Sequence, residues 1–231
     1  MKVGIPIIIL WIVATFFVGS IAGILGKRYG VAYPIALVSA LVVMANIFAN
    51  KIVQFGPFTV PAGVITFSMI FFITDLISEK WGKIEAKKAV WAGFLSSLVL
   101  VVSVYIVINW QPAVFAVEFS EMFTKVLALT PRITFAGFIA YLISQHHDIW
   151  AFHFWKKITK GKHLWLRNNF STIVSQFIDS VIFISIAFYG IFPIMPLILG
   201  QWAVKTLIAL IDTPFMYVTI WFMDKTKTKS N

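Results

Sequence analysis

Residues 5–26 form an apolar run without a single charged side chain until Lys27 and Arg28 close it. A segment of that length is near the roughly 20 residues a helix needs to cross the hydrocarbon core of a bilayer. It is the first of several. Comparable runs occupy 31–53, 61–78, 89–109, 129–149, 170–190 and 197–222. In lipid every backbone polar group must be satisfied within its own segment, so such a chain folds as helices or a closed barrel. Runs of this length and continuity predict an all-α, polytopic membrane bundle of about seven transmembrane helices, a six-helix core preceded by an N-terminal span. The rival reading of the first run, a cleaved signal peptide, is disfavoured by its length and by the lack of a small-residue cleavage site after it.

Composition agrees. Of 231 residues 60% are hydrophobic and 12% charged, with a mean hydropathy of +0.90, and no soluble domain interrupts residues 1–231. The net charge of +10 is read as basic loops against an anionic membrane face, not as a nucleic-acid surface. With no cysteine, thiolate metal sites and disulfides are excluded.

The basic residues also orient the chain. One side collects Lys27, Arg28, Lys80, Lys83, Lys87, Lys88, Lys156, Lys157, Lys160, Lys162, Arg167, Lys225, Lys227 and Lys229. The other holds Lys2, Lys51 and Lys125. The positive-inside rule puts the N-terminus outside and the C-terminus in the cytoplasm, with loops 79–88 and 150–168 cytoplasmic. Residues 110–128 break the pattern. Glu118, Glu121 and Lys125 stand opposite Phe119, Met122, Phe123 and Val126, as in a short amphipathic helix lying on the membrane surface.

Polar residues inside the apolar runs are the functional candidates, since intramembrane charge is costly without a partner, water or a ligand. Ser171, Ser175 and Asp179 fall on one helical face, with Gln176 beside them. Counting inward at about 1.5 Å per residue places Asp179, Lys205 and Asn46 within about 6 Å of common depth. Arg132 and Asn50 lie nearer the outside, and Trp202 and Phe183 offer rings on which a flat ligand could stack. These residues predict a solute site; a Lys205–Asp179 pair that only fixes helix packing is the alternative. A lower layer of Asp75, Glu79, Gln145, Asp148 and Arg167 at the cytoplasmic ends reads either as caps and interfacial ion pairs or as a gate.

Catalytic patterns are weak. His146 and His147 are adjacent, His153 and His163 lie in a basic loop, and no H-E-x-x-H, P-loop or G-x-S-x-G signature occurs. The expectation is a non-enzyme without cofactor or metal. A membrane enzyme working at the lower layer is the less favoured reading, because dense carboxylate clusters of the kind that hold divalent metals are missing.

Two stretches, FSMIFFITDLISEKWGKIEAKKAVWAGF and PRITFAGFIAYLISQHHDIWAFHFWKKITKGKHLWLRNNFSTIVSQFIDSVIFISIAFYG, resemble the queuosine-precursor transporter family of the vitamin uptake transporter group. The similarity covers about 35–225. Its motif positions fall on Thr74, Asp75, Ser78, Glu79 and Gly82, then on Arg132, Gln145, Asp148, Trp165, Arg167, Ser171, Gln176 and Asp179. The resemblance implies import of 7-deazaguanine precursors such as 7-cyano- or 7-aminomethyl-7-deazaguanine, and an all-helical bundle. It also implies an alternative, a substrate-binding subunit that needs a separate ATPase. The expected partners are therefore a small 7-deazapurine and the lipid bilayer. A guanine-type edge suits the candidate residues, because its N–H donors match a carboxylate and its carbonyl matches an ammonium or amide.

Overall fold

In the computed structural model, which describes residues 4–128 and 130–226, the apolar runs are helices. They are α1 (Ile5–Tyr29), α2 (Ala32–Phe48), α3 (Val64–Lys80), α4 (Lys83–Ile108), α5 (Val117–Ala128), α6 (Thr130–Ile158), α7 (Leu164–Phe188) and α8 (Ile194–Lys225). Lys2, Lys227 and Lys229, which enter the charge asymmetry, lie outside the described residues, as does Leu129 at the start of the expected fifth span.

The bundle is apolar outside and buries polar and charged side chains within an otherwise apolar core. Leu10, Phe17, Val99 and Tyr105 are each more than 60% exposed, while Asp75, Gln145, Asp148 and Gln176 are fully buried. That inversion, with five helices long and apolar enough to cross a membrane, makes this a multi-pass membrane protein. The most enclosed element is α3, buried from Val64 to Ser78 except at Phe67. Its Met69, Ile70, Phe72, Ile73, Leu76 and Ile77 centre the larger apolar cluster, to which α1 adds Ile12 and Phe16. A smaller cluster joins Ala136 and Ala140 of α6, Ile184 and Phe188 of α7, and Leu197 and Ile198 of α8.

The helices run past the apolar segments into the charges. Loop 79–88 shrinks to Trp81–Gly82, and loop 150–168 to residues 159–163. Lysines in a last helical turn, such as Lys156 and Lys157 of α6, are favoured by the helix dipole, so basic residues did not have to mean loop. At this end of the bundle Lys80 pairs with Asp224 at 2.5 Å and Lys156 with Glu79 at 3.0 Å.

The ends of the second and third apolar runs, 31–53 and 61–78, are corrected, because Ile52, Val53 and Pro61 belong to strands. Ile52–Phe55 (β1) and Phe58–Pro61 (β2) form an antiparallel hairpin in which Phe55 pairs with Phe58. Gly56, with φ 57°, supplies the positive φ such a two-residue loop requires. Both flanking helices have 17 residues, about 25 Å at 1.5 Å per residue, short of a hydrocarbon core of about 30 Å. The hairpin fills the space between their ends: Val60 is fully buried where β2 packs on α8. At Gly63 a Cβ would run into the Ala45 carbonyl, so glycine permits the close approach of α3 to α2. The amphipathic α5 leaves Val117, Phe119, Met122, Phe123 and Val126 uncovered by protein.

Candidate functional site

A buried polar stripe runs down α7. Asp179, Gln176, Ser175, Thr172, Ser171 and Asn168 are each 2% exposed or less. The eleven steps from Asn168 to Asp179, at about 1.5 Å each, make a stripe of about 16 Å. It ends in a cavity at one extremity and in a layer of carboxyl groups at the other.

The cavity, of about 50 Å3, is lined by Asn46 of α2, Phe67 of α3, Ser97 of α4, Gly137 and Tyr141 of α6, Asp179 and Phe183 of α7, and Gln201 and Lys205 of α8. Pro61 of the hairpin and Gly63 also reach it. Space on that scale admits several waters, which a ligand would displace. On its wall Lys205 Nζ donates to Asp179 Oδ2, and Ser144 Oγ donates to Oδ1 at 3.2 Å. The ammonium also sits 4.5 Å from the centre of the Phe67 ring, a cation–π contact. A carboxylate offers about four lone-pair sites and an ammonium three N–H groups, so neither is saturated.

Neighbouring amides are fixed by their own bonds. Asn46 Nδ2 donates to the Val42 carbonyl at 2.9 Å and to Ser97 Oγ at 3.1 Å. Its Oδ1 faces Gly137. Gln201 Nε2 donates to Ser180 Oγ at 3.4 Å. The wall thus presents acceptors from Asp179 and Asn46, a donor from Lys205, and the aromatic surfaces of Phe67, Tyr141 and Phe183. A second, apolar cavity of about 250 Å3 lies between α2, α4 and α6 and shares Asn46 with the first.

The sequence candidates separate on the structure. Asn46, Asp179, Lys205 and Phe183 meet at the cavity. Gln176 is fully buried one turn below it, and neither atom of its amide has a partner among the described residues. Arg132 is elsewhere: its Nε and Nη2 donate to the carbonyls of Ile186 and Tyr189 at 2.6 and 2.8 Å, capping the C-terminus of α7. Trp202 is not among the lining residues. Its indole donates to the Ile173 carbonyl at 3.2 Å and its ring meets Phe177 edge-on. Ser144, Tyr141, Ser97, Phe67 and Gln201 were not singled out from sequence. Single serines inside apolar helices read as ordinary helix residues, and no spacing rule marks them.

In the lower layer, Asp75 Oδ2 accepts from Thr172 at 3.0 Å, and Gln145 Oε1 accepts from Thr74 at 3.1 Å. Asp212 Oδ1, which belongs here too, accepts from Asn168 at 2.7 Å. Asp148 is fully buried, and among the described residues no hydrogen bond of ordinary geometry reaches either of its oxygens. Beneath them Arg167, 2% exposed, donates to Glu79 at 2.8 Å and to the carbonyls of Gly161 and Lys162 at 3.0 and 3.1 Å. It ties the α6–α7 turn to the end of α3.

A family model described as "Putative vitamin uptake transporter" matches residues 61–219. The "Probable queuosine precursor transporter" of Bacillus subtilis (strain 168) is 33% identical over 179 residues, 76% of this chain and 78% of that protein. The protein of the same description from Haemophilus influenzae is 29% identical over 127 residues, 55% of this chain and 51% of that one. The "Queuosine precursor transporter" of Escherichia coli (strain K12) is 24% identical over 167 residues, 71% of each. No solved structure matches the chain. All three relatives are named as transporters and none as an enzyme. On the family match and the Bacillus similarity, this chain belongs to the queuosine-precursor transporters of the vitamin uptake transporter family.

Proposed function

We propose that the chain, a single transporter domain over residues 1–231, imports a 7-deazaguanine precursor of queuosine or archaeosine, such as 7-cyano- or 7-aminomethyl-7-deazaguanine. The observation that carries this reading is the Lys205–Asp179 pair set in a cavity wall beside Asn46, Phe67, Tyr141 and Phe183. A guanine-type edge needs an acceptor for its ring and exocyclic N–H groups, a donor for its carbonyl, and flat apolar surface for its rings. Asp179, Lys205 and the aromatic side chains offer those features together. Gln176 and Gln201 flank them. Arg132 and Trp202 support the site from outside, by holding the end and the flank of α7.

The lower layer serves as the inner gate. Asp75, Gln145 and Asp148 close the polar stripe, and the Arg167–Glu79–Lys156 ion pairs hold it shut. The basic ends of the helices face the cytoplasm, with the N-terminus outside and the C-terminus inside. A cysteine at Lys83 should then be shielded from an impermeant thiol reagent on whole cells, and one at Glu118 should react.

The decisive experiment is uptake of labelled 7-cyano-7-deazaguanine by cells unable to make it. Accumulation should require this protein, and equal uptake without it would sink the proposal. The same measurement on the purified chain in liposomes separates a self-sufficient transporter from a binding subunit that works only beside an ATPase.

A further inference from the structure

Asp75 on α3, Asp148 on α6 and Asp212 on α8 are 0, 0 and 1% exposed. Thr172 and Asn168, one turn apart on α7, hold Asp75 at 3.0 Å and Asp212 at 2.7 Å, and Asp148 stands beside Asp75. None of the three is in an ion pair with a lysine or arginine among the described residues. Each nearby cation is engaged elsewhere: Arg167 and Lys156 with Glu79, and Lys205 with Asp179. His147, the other titratable group on this face of α6, bonds Ser175 Oγ at 2.9 Å.

Hydrogen bonding does not make up the difference. Asp148 lies beside Asp75 and the α7 hydroxyls, yet among the described residues no hydrogen bond of ordinary geometry reaches Asp75 Oδ1 or either oxygen of Asp148. The α7 hydroxyls around Asp148 donate elsewhere, Ser171 to the Asn168 carbonyl and Ser175 to the Ser171 carbonyl. A second observation points the same way. Asn168, fully buried and bonded to Asp212 through Nδ2, leaves its Oδ1 without a partner among the described residues, as Gln145, one turn from Asp148 on α6, leaves its Nε2.

Buried charge with neither counter-ion nor hydrogen bonds is strongly unfavourable, and neighbouring carboxylates add repulsion. The balancing cation must come from solution. The described residues contain no group of three or more acidic or histidine side chains placed to hold a metal ion. A proton needs no such cage.

We propose that Asp75, Asp148 and Asp212 form a proton-binding site within the inner gate, so that solute entry is tied to proton entry. This rests on the transport reading above. In the step itself a hydronium ion from the outer side gives its proton to an Asp148 oxygen and leaves as water. When the gate opens inward, the O–H bond breaks and the proton passes to cytoplasmic water, restoring the carboxylate. Asp75 shares the proton, and Asp212 with Asn168 closes the far side of the site.

The test uses the full chain in liposomes and reads two signals. The first needs no solute. In the infrared pH-difference spectrum, wild type should show the carbonyl stretch of a carboxylic acid, and Asp148→Asn and Asp75→Asn should each diminish it. The second uses labelled 7-cyano-7-deazaguanine. For one proton per neutral solute, one unit of inward pH gradient should support about tenfold accumulation. Asp148→Asn should bind the solute within about threefold of wild type but only equilibrate it, while Asp148→Glu should retain accumulation. An infrared band unchanged in both variants, accumulation driven by a sodium gradient at equal pH, or pH-driven accumulation surviving in Asp148→Asn would each overturn the proton site. If the band is lost as expected but no variant, wild type included, takes up the compound, the proton site stands and the substrate assignment fails.

Discussion

The two ends of the α7 stripe hold buried carboxyl groups in opposite circumstances. At the cavity, Asp179 has Lys205 on one oxygen and Ser144 on the other. In the lower layer, among the described residues, Asp148 has no ion pair and no hydrogen bond of ordinary geometry on either, and Asp75 has one bond from Thr172. The same residue type at similar burial is therefore balanced in one place and unbalanced in the other. The upper site keeps its charges within the protein, stands without ligand, and is vulnerable to losing one partner. The lower site can change its charge without breaking any bond the protein makes. Stability should hang on the first, and the transport step on the second.

The largest effect expected from this contrast is on folding. Lys205→Met strands the Asp179 carboxylate, which is 2% exposed, and breaking a buried pair in this way costs about 3–5 kcal/mol. Its thermal melting in detergent should fall sharply, and adding Asp179→Asn should restore it. Asp148→Asn, by contrast, removes a charge that nothing pairs, so its melting should match or exceed wild type. Normal melting of Lys205→Met, or collapse of Asp148→Asn, would erase the distinction between the two regions.

Binding comes next in size. The double variant Asp179→Asn with Lys205→Met should fold yet bind the deazapurine about ten- to a hundredfold more weakly, the loss of a charge-assisted hydrogen bond worth about 1.5–3 kcal/mol. Asp75→Asn should leave equilibrium binding nearly intact while slowing uptake, since it lies below the cavity. Near-normal affinity in the double variant would make Asp179 a packing residue. Loss of binding in Asp75→Asn would move the solute down into the gate.

What sequence could convey follows from what each kind of inference needs. Depth along a span depends only on helical rise, so Asn46, Asp179 and Lys205 could be assigned to one layer before any packing was known, and the structure puts them at one cavity. Azimuth depends on neighbours. Consecutive helical residues differ by about 100° around the axis: Gln201 lines the cavity while Trp202, next to it, turns to Ile173 and Phe177. The hairpin was hidden for a similar reason. Phe58, Val60 and Pro61 are as apolar as a span, and only the Gly56–Pro57 pair between two short β-prone runs marks it. Arg132 reads as an intramembrane cation until Ile186 and Tyr189 supply the carbonyls it caps.

A smaller effect should come from Gly137→Ala. The added methyl would lie 3.0 Å from Asn46 Oδ1, with its next neighbour, Phe183, 4.0 Å away. Only the amide must shift, and alanine favours the interior of α6 by up to about 1 kcal/mol, so stability should hold. Displacing one neutral acceptor should weaken affinity by about 1 kcal/mol, or about fivefold, in a direct binding titration. Unchanged affinity would remove Asn46 from the list of solute contacts.

The smallest effect expected is that of Trp202→Phe, which tests where the upper region ends. The indole N–H donates to the Ile173 carbonyl at 3.2 Å, and the ring packs against Phe177 with centroids 5.1 Å apart. Phenylalanine keeps an aromatic face but gives up the donor, a loss of about 0.5–1.5 kcal/mol of stability. Because the side chain lies on the flank of α7 outside the cavity lining, solute affinity should not change. A drop beyond about tenfold, equivalent to 1.4 kcal/mol, would mean that Trp202 turns into the cavity when solute binds. The α7–α8 contact would then have to open during binding, and the balanced site would be less rigid than its closed ion pair suggests.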